Sequence, residues 1–218
     1  SLNGTELRSN SEFSDIVSDL KIDTTISGVP FKYVLTGHTT NVNTSKPSYS
    51  TYIAEDKFDI FTMVLYDNFV EDPSFTPVYG LNGEDKGVSV QVLTDGYLVC
   101  GSSEIAYTDN NNDTKFYSEI IAVKLKKSNG TPINPQWFGG YPSYELEGGH
   151  SVYNEITHRI TIAGTVTDES TNNKGNIFLL QIDENLNSQN PNPSNPTGTI
   201  FDFFQPESPG TMTVGKTN

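Results

Sequence analysis

Short apolar segments alternate with polar turns along almost the whole chain, and one kind of segment occurs three times. It is rich in β-branched and apolar residues, and it passes through a glycine into small polar residues. Segments of this length and composition predict β-strands. The glycines Gly37, Gly101 and Gly164 are 64 and 63 residues apart, which predicts a structural repeat. The three segments are "YVLTGHT" (33–39), "YLVCGSS" (97–103) and "ITIAGTV" (160–166).

Three further kinds of segment repeat in the same order after each of these strands. The second is apolar and ends in a polar turn, the third is aromatic, and the fourth begins at a glycine. One extra copy of the fourth segment is predicted ahead of the first repeat, at 23–29. The second segments are 59–68, 119–130 and 176–187, the third are 74–80, 134–140 and 199–205, and the fourth are 87–93, 149–156 and 210–215.

The repeat predicts an all-β chain built from three units of four antiparallel strands. A β-propeller-like array fits, because each four-stranded blade covers a face of its neighbour. Three blades are too few for a closed ring, so a β-sandwich or an open stack of blades is the structural alternative. We place the repeat domain at 23–218, with residues 1–22 as an N-terminal segment or part of an incomplete extra blade. The units are about 23–86, 87–148 and 149–218.

The middle copy carries the clearest pattern, through Gly101, Leu125, Gly130, Trp137 and Gly139. This pattern resembles the degenerate β-propeller repeats, often described as kelch-like or galactose-oxidase-like, of secreted and surface proteins from Bacteroidetes-type bacteria. The resemblance implies a propeller architecture and an extracytoplasmic location, as a secreted, periplasmic or surface-anchored protein such as a lipoprotein. It implies no particular activity.

Composition narrows the choice of partners. The net charge of −14 would repel nucleic acids and anionic membrane surfaces, and no apolar run is long enough to insert into a membrane. The single cysteine, Cys100, excludes a disulfide framework and occupies the repeat position of Thr36 and Ala163. We therefore expect it to be a small buried core residue.

Carboxylates precede each fourth segment: Glu84 and Asp85, then Glu147, then Glu207. If the copies share an axis, these side chains gather at one end and could bind Ca²⁺ or a ligand. They could also act as the acid and base of a glycan-active enzyme. The structural alternative is that each accepts hydrogen bonds from its turn or from a serine such as Ser89 or Ser151.

The segment "TDNNNDTKFYSE" (108–119) offers a second candidate for calcium. Asp109, Asn111 and Asp113 have the alternating oxygen spacing of a calcium loop. The segment departs from the EF-hand pattern, because Thr114 stands where the glycine of that loop is required. An ordinary hairpin turn is the alternative.

Aromatic residues cluster at the end of the third segment of the middle copy. Trp137, Tyr141 and Tyr144 would stack on sugar rings or anchor a protein partner if they are exposed, and would fill the space between blades if they are buried.

The sequence therefore favours a non-catalytic module that recognises a protein or glycan through loops on one face. A glycan-active enzyme and a structural spacer within a larger surface protein are the alternatives. Self-association that completes the ring of blades is a further prediction. The predicted ligand-binding residues are Trp137, Tyr141, Tyr144, Asp85 and Glu147, and the predicted calcium ligands are Asp109, Asn111 and Asp113.

Overall fold

The computed structural model describes residues 15–25, 28, 30–40, 58–75, 78–79, 83–139, 144–168, 173–189 and 199–201. Within these residues the chain forms β-strands joined by turns and contains no helix. The strands are β1 (Asp15–Asp23), β2 (Lys32–Thr39), β3 (Asp59–Tyr66), β4 (Val78–Tyr79), β5 (Asp85–Val92), β6 (Gly96–Thr108), β7 (Thr114–Lys126), β8 (Pro132–Phe138), β9 (Tyr144–Asn154), β10 (Arg159–Asp168), β11 (Asn173–Asp183) and β12 (Thr199–Phe201).

The strands form three antiparallel sheets of four strands each, in chain order. Sheet 1 contains β1 to β4, sheet 2 contains β5 to β8, and sheet 3 contains β9 to β12. In every sheet each strand pairs with the next one along the chain. The prediction of an all-β chain with a repeated four-stranded unit is therefore confirmed.

The first strand of sheet 1 lies earlier in the chain than the sequence indicated. We predicted it at 23–29, whereas β1 is Asp15–Asp23 and its last residue pairs with Lys32. The error arose because "DTTISGV" has the residue types of the fourth segment, although only its first residue, Asp23, belongs to β1. The predicted strand at 210–215 lies outside the described residues.

The repeated glycine has one structural cause in all three sheets. The first strand of each sheet contains a β-bulge, at Ser18, Val88 and Gly149, opposite the glycine of the second strand. A Cβ added to Gly37 would overlap the carbonyl oxygen of Ile16. At Gly101 and Gly164 it would overlap the carbonyl oxygens of Lys86 and Glu147. Only glycine fits at these positions, because the bulge pushes a carbonyl group against the second strand.

The sheets pack face to face in chain order. We call the face of a sheet that points toward the following sheet its front face, and the opposite one its back face. The front face of sheet 1 and the back face of sheet 2 share one apolar core that includes Val34, Ile60, Tyr97 and Val99. A second core joins the front face of sheet 2 to the back face of sheet 3. Cys100 belongs to it and is fully buried, as predicted, and burial raises the pKa of its thiol to about 12.

Sheet 2 is thus buried on both faces, which explains the continuous apolar runs of β6 and β7. Its first strand also joins the two neighbouring sheets through polar contacts. The Val90 N–H donates to Asp19 Oδ2 in β1 at 3.0 Å. Ser89 Oγ donates to the Gly149 carbonyl in β9 at 2.6 Å, and Gln91 Nε2 donates to the Ser151 carbonyl at 2.7 Å. The three first strands therefore lie side by side.

Candidate functional site

The three sheets have the same orientation, so equivalent hairpins lie at the same end. Gly87 lies against Gly37, and Gly149 lies against Gly101, which aligns the bulges of adjacent sheets. Tyr97, at the start of β6, donates to Asp23 at the end of β1. The last residues of the second strands and the first residues of the third strands are therefore at one end of the array, which we call the arm end.

Among the described residues, the hairpin of β6 and β7 has the longest strands at the arm end. Both strands have 13 residues, whereas β2 and β3 have eight each and β10 and β11 have ten and eleven. The last pair of sheet 1, Thr39 with Asp59, corresponds to Ser103 with Glu119 in sheet 2. Residues 104–118 continue beyond that pair, and we call them the arm. Most of their side chains are exposed or half-buried.

Aromatic side chains line the arm. The rings of Tyr107 and Tyr117 contact each other edge to face, with centroids 5.5 Å apart. They lie on the back face of sheet 2, because alternate residues of β7 from Tyr117 through Ile121 point the same way. Phe116 points to the opposite face and is 44% exposed.

The row of side chains continues from the arm into sheet 2. Glu119 follows Tyr117 on the same face, and its side chain covers Gly139, where a Cβ would approach it within 2.8 Å. Trp137 pairs with Ile121 on the next strand and is 36% exposed. We call Tyr107, Tyr117, Glu119 and Trp137 the aromatic row. It combines ring surfaces with one carboxyl group.

Burial raises the pKa values of two groups in the aromatic row. Burial raises the pKa of Glu119, although its hydrogen bond with Tyr117 acts in the opposite direction. Burial and the nearby Glu119 carboxylate raise the pKa of Tyr117. The row therefore offers hydroxyl and carboxyl hydrogen-bonding groups next to ring faces.

The predicted calcium residues form the turn at the tip of the arm. Asp109 Oδ1 accepts hydrogen bonds from the backbone N–H groups of Asn111 (2.8 Å) and Asp113 (3.0 Å). These two bonds are the main reason that the pKa of Asp109 is lowered. Its Oδ2 lies 3.8 Å from the Lys115 ammonium group. The carboxylate thus caps a tight turn, and the calcium role of Asp109, Asn111 and Asp113 stays a prediction.

No other metal site can be assembled from the part of the chain that the structure describes, since no three His, Cys, Asp or Glu side chains group suitably there. No helix among the described residues is long and apolar enough to cross a bilayer.

Only one of the three predicted aromatic residues can be placed in full. Trp137 is partly exposed in the aromatic row. Tyr141 lies outside the described residues, and Tyr144 is the first residue of β9, where its backbone alone is described. Tyr107, Tyr117 and Phe116 were missed, because they belong to strand segments that read as an ordinary hairpin. The signal that could have identified them is that this hairpin has three aromatic residues next to a polar turn.

The predicted carboxylates do not gather into one solvent-facing group. Asp85 is fully buried at the start of β5, whereas Glu147 is exposed on β9, and Glu207 lies outside the described residues. Ser89 and Ser151 hydrogen-bond to each other at 2.7 Å. Ser89 also donates to the Gly149 carbonyl, and the Ser151 hydroxyl accepts from Gln91, so both serines bind the neighbouring sheet rather than these carboxylates.

A buried carboxyl pair that we did not predict lies at the junction of sheets 1 and 2. The Asp85 N–H donates to the Phe58 carbonyl at 2.8 Å, which places Asp85 beside Asp59. Both side chains are at most 1% exposed. Burial, together with the negative charge of Asp85, raises the pKa of Asp59 from its ordinary value of 3.8 to about 7. Because neither carboxyl group reaches solvent, the pair has the properties of a structural element.

His38 flanks this pair. Its ring contacts Phe58 edge to face at 4.9 Å, and burial together with the charge of Lys86 lowers the pKa of the imidazole. The junction therefore favours uncharged forms of both His38 and Asp59 near neutral pH.

Comparison with known proteins adds no family to this description: no family model matches the chain, and no curated protein matches it at a significant level.

Proposed function

We propose that the three sheets are blades of a propeller-like array and that the chain is a non-catalytic binding module. In this proposal the arm end recognises a neutral glycan. The observation that carries it is the aromatic row on a hairpin whose strands are longer than the described strands beside it in the adjacent sheets. Ring faces stack on the apolar faces of sugars, while carboxyl and hydroxyl groups bind sugar hydroxyls.

The arm is also well built to present these side chains. Its two strands are paired through Thr108 and Thr114, and the Asp109 cap fixes the turn. A rigid hairpin on a buried sheet loses little conformational entropy on binding, so modest contacts suffice for affinity. A protein ligand is the second candidate, because Phe116 adds an exposed apolar ring on the other side of the arm.

A neutral ligand suits the electrostatics better than an anionic one. The chain carries a net charge of −14, so an acidic polysaccharide would be repelled. We also propose an extracytoplasmic location, secreted, periplasmic or surface-anchored, and the support for it is the resemblance of the middle copy to repeats of secreted bacterial proteins.

The test is a glycan array followed by titration calorimetry with any glycan that binds. We expect binding by the native chain, a loss of at least about tenfold in affinity for Trp137→Ala and for Tyr117→Ala, and no change with added calcium. Ile156→Ala is the matched control, since Ile156 is 92% exposed but lies in the β9–β10 turn at the opposite end.

An array without a bound glycan overturns the glycan assignment. The same variants then test a protein ligand by crosslinking at Lys115 on the arm. Binding that is equal in Trp137→Ala and the native chain would remove the aromatic row as the site.

A further inference from the structure

The rings of the aromatic row lie along the hairpin of β6 and β7 rather than across it. On the face that carries the row, Tyr107 pairs with Lys115, Tyr117 belongs to β7 itself, and Trp137 pairs with Ile121. The rings are therefore spread along β7 from the position of Lys115 to that of Ile121. This part of an antiparallel strand spans about 20 Å.

The rings form two separate contacts along this line. Tyr107 and Tyr117, with centroids 5.5 Å apart, form one that we call the outer contact. Trp137 is 36% exposed and forms the other, which we call the inner contact. Ile121, the pairing partner of Trp137, follows Tyr117 on β7 at a distance of about 13 Å along the strand. A single sugar ring therefore stacks on one contact and cannot reach the other.

The surface between the two contacts has small or buried side chains. Ser103 and Glu119 pair with each other there, and they are 0% and 7% exposed. Gly139 lies beside Glu119, and a Cβ added to Gly139 would come within 2.8 Å of Glu119 Cγ. A ligand that joins the two contacts therefore crosses a gap in which Glu119 supplies a carboxyl group.

We propose that the ligand is a linear, neutral oligosaccharide segment that lies along the arm and stacks on both contacts; this inference rests on the glycan-binding function proposed above. A sugar ring covers roughly 5 Å of a linear chain, so at least about four rings are needed to bridge the row of about 20 Å. The chain follows the strand direction, because alternate residues of β7 project from the same face.

Length matters because the two contacts act together only on a ligand that reaches both. A disaccharide stacks on one contact and gains nothing from the other. Once one end of a longer chain is bound, the second contact forms within the same complex, so the affinity rises by at least about tenfold. The rise ends when both contacts are occupied, since further sugar rings lie beyond the row.

The experiment titrates the native chain by calorimetry with neutral linear oligosaccharides of two to six residues. The probes are the cello-, manno- and malto-oligosaccharide series, together with fragments of any neutral linear polysaccharide that the glycan array identifies. In at least one series we expect the dissociation constant to fall at least about tenfold between two and five residues and to change little from five to six. Trp137 is the single tryptophan, so a shift of its fluorescence on binding of the hexasaccharide reports the inner contact directly.

Variants of the two contacts test whether the length dependence comes from the row. Trp137→Ala and Tyr117→Ala should each abolish it, so that the hexasaccharide and the disaccharide bind either variant with affinities within about twofold of each other. Phe116→Ala is the matched control and should keep the native length dependence, because it removes a ring from the opposite face of the same hairpin. If either alanine variant lacks native β-sheet circular dichroism, leucine replaces alanine, because it keeps apolar bulk without a flat ring.

The outcomes separate this inference from the proposed function. Equal affinity of the native chain for disaccharide and hexasaccharide, a length dependence that survives in Trp137→Ala, or an unchanged Trp137 fluorescence overturns the inference and leaves the glycan site in place. An array on which every bound glycan is shorter than four residues has the same meaning. The absence of any bound glycan, on the array and in the titrations, overturns both.

Discussion

The carboxyl pair at the junction of sheets 1 and 2 predicts that the protein loses stability as pH rises toward 8. Asp59 has a pKa of about 7 in the folded chain and an ordinary value of 3.8 when it is exposed. Between these values the folded state binds one more proton than the unfolded state. The free energy of unfolding therefore falls with rising pH in this window.

The size of the effect follows from the width of the window. Each pKa unit corresponds to about 1.4 kcal/mol, so ionising Asp59 costs at most about 4 kcal/mol by pH 8. The repulsion acts on both carboxyl groups of the pair, so about 4 kcal/mol is an upper limit for the contribution of Asp59. For a chain of this length even about 2 kcal/mol lowers the melting temperature by several degrees.

Asp59→Asn is the variant that isolates the effect. It keeps the shape of the side chain, removes the charge, and gives Asp85 a hydrogen-bond donor. We expect the variant and the native chain to be about equally stable at pH 5, and the variant to be more stable at pH 8. Urea unfolding at both pH values, followed by the fluorescence of Trp137, the single tryptophan, measures the difference.

The control is Asp67→Asn, because Asp67 is an exposed carboxylate in the β3–β4 turn. It removes the same charge from an acidic chain without touching the pair, so its stability should follow that of the native chain at both pH values. Equal pH dependence in Asp59→Asn and Asp67→Asn would refute the reasoning, since the general charge of the chain would then explain the loss.

Three further predictions concern the repeat and the arm. Gly101→Ala should lower the free energy of unfolding, measured in urea, by about 3 kcal/mol, because the added Cβ meets the Lys86 carbonyl. Ser103→Ala, two residues along the same strand, should change the free energy of unfolding very little. Tyr97→Phe should cost about 1.5 kcal/mol by removing the 2.8 Å hydrogen bond to Asp23 that joins sheets 1 and 2, whereas Tyr107→Phe on the arm should cost little. Asp109→Ala should lower the thermal midpoint slightly through loss of the turn cap, and adding calcium should leave the midpoints of both the variant and the native chain unchanged.

The strands could be predicted from the sequence because the same pattern of residues occurs in each of the three copies. Gly37, Gly101 and Gly164 were found by their spacing, and they proved to face the same bulge in each sheet. A local constraint that recurs at the same place leaves a signal in the sequence. The first strand of sheet 1 was misplaced because its counterparts β5 and β9 contain the glycines Gly87 and Gly149, while Asp15–Asp23 contains none.

Less of the candidate site than of the strand pattern could be predicted from the sequence, for a physical reason. The row of Tyr107, Tyr117, Glu119 and Trp137 depends on which faces of β7 and β8 coincide, and that register includes a shift between Ala122 and Lys124. A single-residue slip moves every side chain to the other face of a sheet. Trp137 was a candidate from the sequence, but which residues of the neighbouring strand lie beside it could not be predicted.

The carboxylates show a second limit. Asp85 and Glu147 have similar positions relative to a glycine, yet the bulges place one of them in the interior and the other in solvent. Asp85 helps to raise the pKa of Asp59, which lies 26 positions earlier in the chain, and only the packing of sheet 1 on sheet 2 brings the two together.

The bulges also explain why the sheets of this chain can follow one another in a regular array. A bulge increases the local twist of the first strand, and here it recurs at one height in every sheet. Glycines on both sides of the contact, Gly149 against Gly101 and Gly87 against Gly37, let the backbones of adjacent sheets approach closely at that height. Larger apolar side chains fill the two cores between the sheets. The same kinds of contact therefore join sheet 1 to sheet 2 and sheet 2 to sheet 3.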